Sequence, residues 1–178
     1  DDIYALVEAA DLDAGQEKKL EQVLGRQYHL ITRDDRLETV AQDIVQHFLG
    51  RGFVGKAMVV SIDKATALKM HDKVKQHWAA EMERVQQELG ELAHLPLGGE
   101  RSAEQARRDV RKAELKQRLA LLTGTDMAVI VSPGQNEIEQ MKKLGLDIEP
   151  HRKRMNESQP ALDERFKDVA DPLRLVFV

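Results

Sequence analysis

A buried strand that runs straight into a long helix admits few architectures, and residues 56–65, Lys56-Ala57-Met58-Val59-Val60-Ser61-Ile62-Asp63-Lys64-Ala65, have that form. Met58, Val59 and Val60 are consecutive and apolar, which predicts a strand covered on both faces. Ser61 and Asp63 then place short polar side chains where a helix must begin, and Asp63 has the position of an N-cap. In parallel α/β sheets ligands bind at the carboxyl ends of strands, because helix N-termini there offer free backbone N–H groups and partial positive charge to an anion. Ser61 to Thr66 is therefore the first candidate binding segment.

The design recurs. Met127-Ala128-Val129-Ile130-Val131-Ser132 is a second apolar run, followed by the polar loop Ser132-Pro133-Gly134-Gln135-Asn136 and a short helix carrying Ile138, Met141 and Leu144. A right-handed crossover between parallel strands places both corners on one edge of the sheet. Upstream, Leu37, Val40, Ala41, Ile44, Val45, Phe48 and Leu49 follow helical spacing, and Gly50-Arg51-Gly52 closes that helix. Downstream, Pro150 to Asn156 reads as a basic loop without periodicity, a short helix surrounds Leu162, Phe166 and Val169, and Leu173 to Val178 form a last strand. The rhythm is that of an α/β parallel sheet.

Between the first two strands lies a longer excursion. Ala67, Met70, Val74, Trp78, Met82, Val85 and Leu89 make one apolar stripe over about seven turns, longer than a sheet of ordinary width can cover. Leu95-Pro96-Leu97-Gly98-Gly99 reverses the chain, Ser102 caps a second helix, and Ala106, Val110, Ala113, Leu119 and Leu122 form its apolar side. An antiparallel helical hairpin, about residues 79–124, is thus expected to project from the sheet. Between Arg101 and Arg118 it carries seven Lys/Arg against three acids, which reads first as a solvated face and second as a contact to a nucleic-acid backbone.

Composition narrows the class only a little. Charged residues make up 33% and aromatics 4%, which suggests long solvated helices around a small aliphatic core. The net charge of −4 gives no general attraction to a polyanion, so any nucleic-acid contact must be a local patch. The absence of cysteine excludes disulfides and cysteine-ligated metals and fits a reducing compartment. No stretch has the length of a membrane span and no signal-peptide pattern opens the chain, so a cytoplasmic location without membrane contact is expected. Residues 1–24 hold seven Asp/Glu against two Lys, and their apolar positions, interrupted at Asp11 to Gly15, predict two short helices. Residues 1–33 read as a helical linker. The start at Asp1 and the apolar run up to Val178 suggest a piece of a larger protein.

The residues offer no convergent catalytic set. Gly55-Lys56 precedes its strand instead of following one, and Ala57 stands where a P-loop needs Ser/Thr, so that reading is rejected. His71-Asp72 could suggest a metal phosphohydrolase, but no second His follows at i+4 and His77 falls on another face; they read as ordinary helix residues, and no metal ligand is assigned. Glu17-Lys18-Lys19 has the carboxylate-x-Lys element of some nucleases, but on a polar helix instead of a strand. Trp78 lies in the apolar stripe and reads as core.

Taken together, Arg36 to Val40, Lys56 to Ala67, the strand ending at Ser132, Phe166-Lys167-Asp168 and Pro172 to Val178 resemble the second RecA-like (P-loop NTPase-like) domain of a superfamily 2 helicase. Met58 to Met70, Trp78-Ala79-Ala80-Glu81, Thr125 to Ser132 and Pro150 to Asn156 more narrowly resemble the motor (restriction, R) subunit of type I restriction-modification enzymes. The resemblance implies that residues 34–178 are part of a motor domain with an inserted helical hairpin. It further implies an ATP-dependent translocase and type I site-specific deoxyribonuclease, with ATP and Mg2+ as cofactors of the whole subunit. Partners would be double-stranded DNA and the methyltransferase and DNA-specificity subunits. Walker elements and nuclease site belong to other parts of such subunits, so this piece is expected to carry no active site. The DNA-binding candidates are Ser61, Lys64, Thr66, Ser132, Arg152 and Arg154. Another superfamily 2 remodeller, or a non-catalytic α/β domain whose hairpin binds a protein, are the alternatives.

Overall fold

The computed structural model describes residues 14–94 and 103–178, which fall into two compact units, Asp1–Leu37 and Glu38–Val178. The expected reversal at Leu95 to Gly99, the Ser102 cap and the acidic residues before Ala14 lie outside the described residues. In the first unit, helix α1 (Ala14–Ile31) begins where the second of the two expected short helices should start and runs on to Ile31, while the first of them lies outside the described residues. Its Val23, Leu24, Tyr28, Leu30 and Ile31 are exposed. Thr32 Oγ1 donates to the Tyr28 carbonyl at 2.8 Å, and Arg33 pairs with Asp35 where the next helix begins.

That helix, α2 (Asp34–Gly50), opens on Asp34 and Asp35, whose charges suit the positive end of the helix dipole. Ala41, Val45 and Phe48 are buried along one side, as their spacing predicts. Strand β1 (Ala57–Val59) follows, then α3 (Lys64–His94), α4 (Ala103–Thr123) and β2 (Asp126–Val129). Three short helices, α5 (Glu137–Lys143), α6 (Glu149–Glu157) and α7 (Leu162–Lys167), lead to β3 (Leu173–Phe177). The chain is mixed α/β, mostly helical, with one small parallel sheet of three strands in the order β1-β3-β2.

The sheet is levelled at its carboxyl edge. Val59 and Val129 both lie opposite Phe177, and both corners therefore leave the sheet at the same height. The Ser61 N–H donates to the Val178 carbonyl at 2.8 Å, and the Ile130 N–H to that of Phe177 at 2.9 Å. One face of the sheet is packed by α6 and α7, where Ala128, Leu173 and Val176 meet Leu162, Met155 and Phe166. On the other, the Phe177 ring stands edge-on to His71 of α3.

Two expectations change here. β1 is not covered on both faces: it is an edge strand of the described sheet, with Met58 55% and Val60 75% exposed. The segment Pro150 to Asn156 is helix α6, not a loop. It escapes a periodicity test because none of its residues is fully buried, so no apolar stripe marks it.

The hairpin is present as two packed helices. Arg118 reaches Glu81 at 2.6 Å and Arg111 reaches Glu88 at 2.7 Å, so partners move backward along α4 as they move forward along α3, and the pair is antiparallel. The inward side of α4 is the expected one only at its carboxyl end: Leu122 is buried and Leu119 half-buried, but Ala106, Val110 and Ala113 are exposed, and Leu115, outside the expected set, is buried. Trp78 joins this pair to α2. It is buried, lies edge-on to Phe48 at 5.6 Å, and its Nε1 donates to the Leu122 carbonyl at 3.0 Å. Trp78→Ala removes both contacts from a buried site and is expected to cost about 3–5 kcal/mol. Urea unfolding at constant m-value measures it; a loss below about 1 kcal/mol would show that the three helices do not depend on this joint.

Candidate nucleic-acid interface

The first corner is built by backbone geometry. Asp63 Oδ1 accepts from the Thr66 N–H at 2.7 Å, and the Asp63 carbonyl accepts from the Ala67 N–H at 3.0 Å, so Asp63 is the N-cap of α3. Ser61 sits just before it. Its Oγ is buried and, among the described residues, has no hydrogen-bond partner. A buried hydroxyl left in that state costs roughly 1–3 kcal/mol, so the chain holds it against a local penalty.

The second corner is held by charge. After β2 the chain passes Ser132 and Gly134 and enters α5 through Asn136, whose φ of 54° is the left-handed conformation that Asn tolerates best after Gly. Glu137 then folds back: its Oε2 accepts from the Gly134 N–H at 3.0 Å, and Arg152 grips both its oxygens, at 2.7 and 2.9 Å. Arg152 also donates to the carbonyls of Val131 and Ser132 at 3.0 and 3.1 Å, so that one guanidinium closes the end of β2. The Lys64 ammonium crosses from the first corner to within 3.6 Å of the same carboxylate, and Gly134 leaves room for it, since a Cβ there would lie 2.8 Å from Nζ. Hydrogen bonds from Arg152 hold the Glu137 carboxyl below the usual carboxylate range, helped by the charges of Arg152 and Lys64 and opposed by its burial.

The six candidates divide by position. Ser61, Lys64 and Ser132 gather at the carboxyl edge of the sheet. Thr66 is buried, and its N–H is engaged by the cap. Arg152 stands behind the second corner with its side chain 17% exposed. Arg154 is at the opposite edge, where it donates to the Met127 carbonyl at 2.7 Å and to Asp126 at 2.6 Å. Arg165 shares that Asp126 oxygen at 3.0 Å and also holds Asp171, so Arg154 belongs to an ion network at the amino ends of β2 and β3.

The basic side of α4 is likewise turned partly inward. Arg111 and Arg118 reach α3 carboxylates that Arg84 also bridges, through Glu81 at 2.8 Å and Glu88 at 3.0 Å. Glu137, the hub of the second corner, carried no sequence signal beyond being an acid in the first turn of a short helix. No family model, curated protein or solved structure matches the chain.

The depressed carboxyl of Glu137 contributes stability that is present above the unfolded carboxyl pKa of about 4.3 and is lost as pH falls through the lower folded value. Glu137→Gln is therefore expected to unfold at a lower temperature than the parent at pH 7, with the gap narrowing below pH ~4. Thermal unfolding of both proteins between neutral pH and acid checks this; a gap that stays constant would mean that the ionised form of Glu137 contributes nothing.

Proposed function

We propose that this chain is part of the second RecA-like domain of the motor subunit of a type I restriction-modification enzyme. In that reading it is the half of a cytoplasmic DNA translocase that holds the duplex. The observation that carries the reading is the carboxyl edge of the sheet. There the unpartnered Ser61 hydroxyl, the Lys64 ammonium and the N-terminus of a 31-residue helix lie at one level with the Ser132 corner. Such a surface suits phosphate oxygens: a positive charge and a helix dipole add without reading any base, and the buried Ser61 hydroxyl becomes a third donor when the corner opens to admit the phosphate. The sequence resemblance supports the choice of motor family over other anion binders.

In the intact subunit, ATP with Mg2+ supplies the alternation between closed and open arrangements of two RecA-like domains, and no residue of this chain is assigned to the nucleotide. The chain's own part is to grip and release. Ser61 and Lys64 meet a phosphate, Ser132 to Gln135 offer a second contact one corner away, and Asp63 and Arg152 keep the two corners in place. Arg152 and Arg154 thus serve as positioning residues, and Thr66 as a buried part of the cap. Cleavage of DNA belongs to other parts of the subunit, and the methyltransferase and specificity subunits choose the site.

Ser61→Ala and Lys64→Ala in the intact subunit should slow translocation and lower DNA-stimulated ATP hydrolysis. In the isolated chain Lys64→Ala should reduce the slope of log affinity for duplex DNA against log salt by about 0.9, the share of one phosphate contact. Ser61→Ala should leave stability unchanged or raise it by about 1 kcal/mol while weakening binding, because the hydroxyl is unpaired in the fold. Unaltered translocation and an unaltered salt slope would overturn the assignment.

A further inference from the structure

The cluster that the sequence leaves unassembled is His71, Asp72 and His151. His71 and Asp72 lie two turns into α3, and His151 lies in the first turns of α6, a segment that reads as loop in sequence. The fold brings one ligand atom from each to within 4.8 Å of the others. His71 is fixed: its ring is buried, stands edge-on to Phe177 at 5.3 Å and to His151 at 4.7 Å, and its Nδ1 is 3.0 Å from Asp72 Oδ1. Asp72 and His151 are free to adjust, with the Asp72 side chain 58% exposed and His151 half-buried.

We propose that these three residues form a binding site for a divalent first-row transition metal of the zinc class, which ties α6 to α3. Two imidazoles and a carboxylate are the donor set that zinc takes in three-ligand sites, leaving a fourth position for water. With metal bonds of about 2.0–2.1 Å, tetrahedral ligand atoms stand about 3.4 Å apart. The His71–Asp72 pair is already near that separation, and rotation of the two accessible side chains brings in the third. Magnesium and calcium, which take oxygen ligands, do not suit the two imidazoles. The site is independent of the DNA-binding reading: it uses neither corner residue, and its role is to hold the helix whose Arg152 closes the end of β2.

The experiment is titration of the chelator-treated 178-residue chain with zinc, followed by calorimetry and by the thermal unfolding midpoint. One zinc per chain and a raised midpoint are expected for the parent. His151→Ala and Asp72→Ala should each weaken zinc by on the order of a hundredfold, the upper end of the cost of losing even a supporting group. His77→Ala, which alters a histidine on the same helix that pairs with Glu38 instead, should bind as the parent does. Equal binding by parent and His151→Ala, or loss of binding in His77→Ala, overturns the site. Should His151→Ala fail to fold, the parent with cobalt(II) decides: the intense visible bands of a four-coordinate ion support the proposal, and an octahedral spectrum or none overturns it.

Discussion

Everything at the candidate interface hangs on the pairing of β3 with a parallel strand on each side. Parallel ladders fix register through evenly spaced hydrogen bonds, and here both flanking strands end opposite Phe177. Because side chains alternate in a strand, a slip of one residue in β1 would exchange the half-buried Ala57 and Val59 with the exposed Met58. It would also separate the Ser61 N–H from the Val178 carbonyl, and the two corners would no longer share a level. The interface is therefore a property of strand register before it is a property of any side chain.

Charge placement forms the second layer. At both ends of the sheet arginines face backbone carbonyls and carboxylates: Arg152 closes β2 at the carboxyl edge, and Arg154 and Arg165 converge on Asp126 at the amino edge. On the hairpin, Arg111 and Arg118 face α3. Partly buried guanidiniums with several fixed partners are stronger tethers than exposed pairs, whose contribution is near zero to 1 kcal/mol. Counting Lys and Arg along a helix overstates what remains for a partner, since a basic residue can be part of the packing.

What could be read from sequence follows from which signals are local. The strand-to-helix corners, the Asp63 cap, the inward side of α2 and the Trp78 stripe depend on spacing along one element, and each has the expected form. The misses depend on neighbours. Met58 looks like a two-sided strand residue because an apolar run does not say whether a strand is central or at an edge. Helix α6 carries no stripe, and only Pro150 in its first turn and Glu149 beside it mark a start. On α4 the inward line runs through Arg111, Leu115, Arg118 and Leu122, so an apolar tally finds Leu122 but places Ala106, Val110 and Ala113 inside and misses Leu115. Glu137 becomes meaningful only when Arg152 of α6 is placed beside it, and His151 only when α6 meets His71 of α3.

Helix α3 is capped at the first corner by Asp63 and runs for 31 residues without a break, a rod of about 46 Å. Its first turns lie at the sheet edge, while its second half is braced by α4 and no strand. Trp78 still ties the rod to α2, so about 24 Å of it runs on beyond that joint, and a bend of about ten degrees there moves the far end by about 4 Å. The hairpin therefore gives the small contact at the corner a mechanical reach that the three-stranded sheet does not have by itself.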